Sequence, residues 1–250
     1  MRGFSPSPFR EARSAATPIN PLVPATAEDA SVFAALETEA LASKAARSAL
    51  SAEDALRAAS ARATAQRALL GEAATHLSMP SLAPASSMLT RDTRTHNALI
   101  CQPQQRNTAG RIFGGFLMRR AFDLAFANAY LFAGTRPRFR QVEHVSFTAP
   151  VEVGALLRLE AAVVLTQPAV SATQPEALVT VDVEAVVAQP ELRRSVPSNT
   201  FTFTFAIDEA DLARTGGAIR TVLPADLEEA QRQLEVTGLV GQHAHPPVPG

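Results

Sequence analysis

At 250 residues the chain has room for one large domain, or for one domain with extensions. A net charge of −1 without a basic block argues against nucleic-acid and anionic-membrane partners, no run reaches the apolar length of a membrane span, and 46% apolar residues suffice for a core. The single cysteine, Cys101, excludes an intrachain disulfide and a cysteine-cluster metal site, and fits a reducing compartment.

Residues 1–26 form an extended arm. Arg2, Arg10 and Arg13 against one acid, Glu11, with interspersed serines, also give it the composition of an organelle transit segment. Residues 27–77 turn abruptly to alanine and predict a helical arm, with helices over Ala27–Lys44 and Ser51–Gly71 and a capping-box-like start at Ser51 and Asp54. Residues 78–90 read as a linker.

A folded domain is expected over 91–208. Thr93–Gln102 alternates and predicts a first strand, and Pro103–Gly110 a polar loop. Gly114–Phe132 predicts a helix apolar on almost every side, hence buried nearly all round; Gly134 stops it and Pro137 lies beyond. Four strands follow: Phe139–Thr148, Ala155–Thr166, Ala177–Ala188 and Asn199–Ile207. In the second, Leu157, Leu159, Ala161, Val163 and Leu165 share one face; in the last, Phe201, Phe203 and Phe205 face inward. Residues 209–250 read as a polar tail carrying a short surface helix over Pro224–Leu234. A strand, a buried helix and four strands describe an α+β hotdog fold, an antiparallel sheet of about five strands curled round one long helix. Its free edges call for a second copy of the fold.

The residues at the helix start carry a family resemblance. Asn107 together with Arg111-Ile-Phe-Gly-Gly-Phe-Leu-Met-Arg-Arg-Ala-Phe-Asp-Leu-Ala125 resembles the helix start of hotdog acyl-CoA thioesterases, and Val145-Ser-Phe-Thr-Ala-Pro-Val-Glu-Val-Gly154 resembles their strand-turn signature. Within that family the chain is similar to the mitochondrial members with two hotdog domains. Ile19-Asn-Pro-Leu-Val-Pro24 and the acidic helix after it resemble the segment that leaves their first hotdog. The resemblance implies a second hotdog domain standing without its first. It implies an acyl-CoA substrate, no cofactor beyond the coenzyme A that substrate carries, and a site shared with another hotdog from a copy of itself or another chain. It also implies a mitochondrial matrix setting, with the cytoplasm as the alternative.

Thioester hydrolysis needs a carboxylate as nucleophile or base, and donors for the oxyanion. Gly114 and Gly115 open a helix whose first amides lack intrahelical acceptors, which suits a carbonyl; close helix–sheet packing would equally call for glycine. The resemblance puts an acid about nine positions ahead of the double glycine, where this chain has Gln105, which can hold a water or carbonyl but cannot be a base. Asp123 corresponds to an acidic family position and is the remaining helix acid; an ion pair with Arg119 or Arg120 is the alternative. Glu143 and His144, on the next strand, are second candidates. Asn107 belongs either to the site or to an Asx-type turn that shapes the loop. Arg106, Arg111, Arg193 and Arg194 are candidates for coenzyme A phosphates or simply surface charge. Two functions remain open. One is an acyl-CoA thioesterase; the other is a catalytically degenerate homologue serving as a structural subunit of a larger mitochondrial assembly.

Overall fold

The computed structural model describes residues 26, 29–34, 38, 52–169, 176–214 and 218–242. The chain divides into two compact units, residues 1–57 and 58–250. In the first, Thr26 and Asp29 cap one another: Asp29 N–H donates to Thr26 Oγ1 and Thr26 N–H to the Asp29 carboxylate, each at 3.1 Å. Residues 29–34 are helical. The rest of the helix expected to end at Lys44, the expected cap at Ser51 and most of the arm 1–26 lie outside the described residues.

Helix α1 (Ala52–Ser78) continues beyond its expected end at Gly71. It buries Ala73 against Leu89 and Leu223. Leu89 belongs to β1 (Ser87–Leu89) and Leu223 to β7 (Thr221–Leu223), which pair in parallel. Residues read as linker and tail therefore meet in a small second sheet.

The main sheet contains β2 (Thr95–Ile100), β3 (Arg138–Phe147), β4 (Leu156–Gln167), β5 (Glu176–Gln189) and β6 (Arg194–Asp208). Its order is β2-β4-β5-β6-β3, with every neighbour antiparallel. Helix α2 (Gly114–Ala133) packs across one face. This is the hotdog arrangement that the sequence predicts. Alternation along β6 buries Phe201, Phe203 and Phe205 to 1% exposure or less. Phe122 of α2 meets Phe203 edge-on at 5.6 Å and Phe139 at 5.4 Å. The helix ends as expected: Gly134 has φ 70°, and its N–H donates to Tyr130 O at 2.9 Å.

Three expectations are corrected. First, α2 is not buried all round, since Leu131 is 74% exposed and Arg119, Asp123 and Tyr130 are also exposed. The sheet covers one side of the helix and leaves the other open. Second, Leu165 does not share a face with Leu157 and Val163. A β-bulge follows Val163, and Leu165 pairs with Thr180. Val164 and Leu165 thus both reach the far side of the sheet, where they pack with Val236 and Val240. Third, those valines belong to α4 (Leu227–Gln242), which follows the short α3 (Glu209–Arg214) and extends past the surface helix expected to end at Leu234. Val236 is fully buried.

Polar contacts seat α4 on the sheet. Asp226 Oδ1 accepts the Glu229 N–H at 2.9 Å, and Glu229 Oε2 accepts the Ala225 N–H at 2.8 Å, closing its first turn. The Arg232 guanidinium grips the Asp182 carboxylate and donates to Thr202 Oγ1 at 3.1 Å. Burial works against the charge of Arg232, but Asp182, and then Glu235, outweigh it and hold its pKa above the ordinary value.

Between α4 and the sheet runs a groove lined by Asp182 and Arg232, in which Glu184 lies across from Glu160. Partial burial raises its pKa above the ordinary 4.5, with further upward pushes from Glu160, Glu228 and Asp182 against the pull of Arg94. A carboxyl with a raised folded-state pKa disfavours folding once it is ionised, and this penalty disappears below the unfolded pKa. Glu184→Gln is therefore expected to raise Tm near neutrality, with the gain vanishing as pH falls below the ordinary value of 4.5. Thermal melts across this range check it; a gain independent of pH would reject the electrostatic cause.

Candidate active site

The loop ahead of α2 is held by its own side chains. Pro103–Gln105 forms a 3-10 turn in which Gln105 Oε1 accepts the Gln102 N–H at 2.9 Å. The Gln105 carbonyl accepts the Phe113 N–H at 2.8 Å, tying the loop to the residue that precedes the helix. Asn107 Oδ1 accepts two amides, Ala109 N–H at 2.9 Å and Arg111 N–H at 3.1 Å, which makes the Asx-type turn. Gly110 completes that turn at φ 79°, a conformation costly for a residue with a Cβ. Ile112 N–H then donates to Val151 O at 2.9 Å, anchoring the approach to the helix.

At the helix start the capping residue is Phe113, without a side-chain cap. The amides of Gly114 and Gly115 point out of the first turn, where no intrahelical carbonyl is available. A Cβ on Gly114 would lie 3.1 Å from the Phe147 ring, and one on Gly115 would lie 2.4 Å from the Phe113 ring. Two aromatic rings thus use the space that the glycines leave.

The other candidates divide between surfaces. Asp123 is ion-paired with Arg119 at 2.9 Å on the exposed side of α2. Arg111 faces Glu152 at 3.7 Å, and Arg106 is exposed. At the β5–β6 hairpin Arg193 has φ 49°, and Arg194 Nε donates to Gln189 Oε1 at 2.5 Å. Glu143 lies at a bulge in β3 and is buried; its Oε1 accepts from Thr204 Oγ1 at 2.5 Å and Gln141 Nε2 at 2.7 Å. Thr204 alternates with Phe203 and Phe205, so this carboxylate lies on the face turned away from α2. His144 lines the groove with Asp182 on that same face. The structure therefore gathers Gln105, Asn107, Gly114 and Gly115 at the helix start and separates Glu143 and His144 from them.

Sequence reasoning missed two buried amides. Asn128, 1% exposed, donates through Nδ2 to Thr93 O at 2.6 Å and Thr95 Oγ1 at 3.0 Å, fastening α2 to the strand edge. Asn199, 2% exposed, has no hydrogen-bond partner for either side-chain polar atom among the described residues. It shares the inward stripe of Phe201, and a polar residue opening an apolar period-two run is the signal that could have found it.

No family model matches the chain. An acyl-coenzyme A thioesterase 2 of Humulus lupulus, chloroplastic, is 52% identical over 168 residues, covering 67% of this chain and 38% of the relative. This chain is a relative of the acyl-CoA thioesterases. Acyl-coenzyme A thioesterase 4 of Humulus lupulus, mitochondrial, is 47% identical over 178 residues, 71% of this chain and 33% of that protein. The mitochondrial acyl-coenzyme A thioesterase 9 of Mus musculus is 40% identical over 122 residues, 49% of this chain and 26% of its own. The chain thus spans less than two-fifths of the length of the curated proteins it matches. Among solved structures, an acyl-CoA hydrolase from Staphylococcus aureus in complex with butyryl coenzyme A superposes with TM-score 0.54 at 19% identity, covering 62% of this chain and 89% of that one. An apo-hexameric acyl-CoA thioesterase superposes with TM-score 0.52 at 21% identity, covering 64% and 99%. At these identities the solved structures establish the shared fold.

Two substitutions separate loop architecture from surface charge. Asn107→Ala strands two loop amides and is expected to cost about 1–2 kcal/mol. Asp123→Asn removes an exposed helix pair and should change stability by less than about 0.5 kcal/mol. Urea unfolding of both variants checks the contrast.

Proposed function

We propose that the hotdog domain hydrolyses fatty acyl-CoA thioesters at the amino-terminal end of α2, in a site shared with a second hotdog. The carrying observation is the 52% identity to a thioesterase, and the first-turn amides, which have no intrahelical acceptor, support it. Water adds to the thioester carbonyl, the C–S bond breaks, and coenzyme A leaves as the thiol with the acyl group as the carboxylate. Gly114 and Gly115 supply oxyanion donors. Gln105 and Asn107 shape the loop beside them, and Arg106 and Arg111 meet the coenzyme A phosphates. The base is Asp123 or another acid of the second hotdog; Asp123 stands about 12 Å along α2 from Gly115, so between two copies it serves the thioester held at the other copy's helix start once its Arg119 pair opens.

Several features support a second hotdog as partner. Strand β3 lies at an edge of the sheet. Phe139, Val142 and Phe147 of that strand, and Met118 and Leu131 of α2, leave apolar surface exposed. The mitochondrial and chloroplastic names of the relatives support an organellar setting, for which we favour the mitochondrial matrix.

A second reading is a catalytically degenerate subunit of a mitochondrial assembly. It is favoured by the amide at Gln105 and by the Arg119 pairing of Asp123. Release of free thiol from acyl-CoAs of several chain lengths separates the two. The thioesterase reading expects turnover, with a loss on the order of 100-fold for Asp123→Asn if that residue is the base. No turnover, alone or with a second hotdog chain, would favour the subunit. Val142→Glu is expected to convert a self-associated form to monomer, as read by sedimentation; unchanged association would move the interface away from β3.

A further inference from the structure

We infer that Asn199 is a substrate-positioning residue whose side-chain amide hydrogen-bonds the thioester group at the start of α2. This rests on the thioester reading above and adds to it a residue on the sheet.

The placement follows from register. Asn199 pairs with Phe147, and Phe201 with Val145, with no shift between them. Asn199 therefore faces the same side of β6 as Phe201, toward α2. The ring of its partner Phe147 reaches to 3.1 Å from where a Cβ on Gly114 would stand. The same ring meets Phe201 edge-on at 5.8 Å. Phe147 thus ties the level of Asn199 on the sheet to the first residue of the helix. On the β5 side the partner is Ala185, fully buried, whose methyl offers the amide no polar partner.

Neighbouring polar groups are satisfied. Ser198 Oγ donates to Ala185 O at 3.0 Å, and Ser198 O accepts the Thr148 and Ala149 N–H groups. The Asn199 amide stands apart: Oδ1 and Nδ2 are both buried and lack partners among the described residues. Buried polar groups are overwhelmingly paired, and an amide with neither function used is an expensive residue for packing alone. A ligand supplies what is missing. The amides of Gly114 and Gly115 can only donate, whereas Asn199 offers two donors and an acceptor. A thioester carbonyl oxygen takes one backbone N–H and one Nδ2–H, and Oδ1 accepts from the water that attacks it. A plain carboxylate or alkyl chain would leave part of this set unused.

The test uses the full chain and three probes: decanoyl-CoA for turnover, S-decanoylmethyl-CoA, which keeps a carbonyl but cannot be hydrolysed, and S-decyl-CoA, which lacks one. Asn199→Leu is expected to lower kcat/KM on the order of 100-fold and to abolish the preference for S-decanoylmethyl-CoA over S-decyl-CoA. It should melt at or above the wild-type temperature, because leucine removes an unpaired polar group. Loss of function with a gain in stability is an outcome that a merely structural asparagine does not produce. Should leucine not be accommodated, Asn199→Ala gives the same comparison. Wild-type turnover with unchanged kcat/KM and carbonyl preference in the variants overturns the assignment and leaves the thioesterase reading standing. A wild type that prefers the carbonyl probe without hydrolysing decanoyl-CoA, with that preference lost in the variants, overturns hydrolysis and upholds Asn199. A wild type that does neither overturns both.

Discussion

The seat of Phe122 on the phenylalanine row of β6 is the constraint from which the rest of the domain follows. Its ring touches Phe203, Phe205 and Phe139, so one helix residue engages the centre and the edge of the sheet together. Burying each such ring stabilises by roughly 2–3 kcal/mol, and the edge-on geometry fixes the roll of the helix as well as its contact. Once that roll is set, Leu124 and Ala125 must face the sheet, while Arg119 and Asp123 must face away. Asn128 then fixes the helix lengthwise, because its amide reaches carbonyl and hydroxyl groups that only one position of α2 supplies.

With roll and position fixed, the helix start has one place to go. The Gln105 carbonyl and the Val151 carbonyl hold the two residues ahead of it, and Phe147 lies against Gly114 from the sheet side. The polar loop needs no contact with the core to be ordered, since Gln105 and Asn107 turn their own oxygens onto its amides. The same economy separates the candidate groups: residues that shape the loop gather at the glycines, and the charged residue of the helix is turned outward.

The fold was legible because its strongest signals are local. Alternation along β6 and Gly134 each report a backbone geometry, and the glycine pair reports the close approach of the Phe147 and Phe113 rings. What escaped was whatever depends on a neighbour. The open side of α2 carries Met118, Tyr130 and Leu131 beside Arg119, Arg120 and Asp123, and those large apolar residues read as buried until the sheet is seen to cover one side alone. Leu165 continues an apparent alternation that a bulge interrupts. Helix α4 looks like polar tail because Arg232 and its acids are read as solvated, whereas Arg232 is bound to Asp182 fifty positions away. Of the candidate site, the glycines and the turn at Asn107 could be read directly. Asn199 is visible only as the polar residue that opens the β6 run; what marks it out, two buried polar atoms with no partner among the described residues, is not written in the sequence.

The bulge in β4 ties the register of the sheet to the seat of the carboxy-terminal helix. By placing Val164 and Leu165 side by side on the far face, the extra residue makes the docking ground for α4 a product of strand registration. If β4 slid by one position on β5, those side chains would turn and the valines of α4 would have nothing to settle on. The carboxy-terminal helix thus acts as a proofreader of the sheet. Its docked state favours the correct register over a shifted one, because only that register presents Val164 and Leu165 to it.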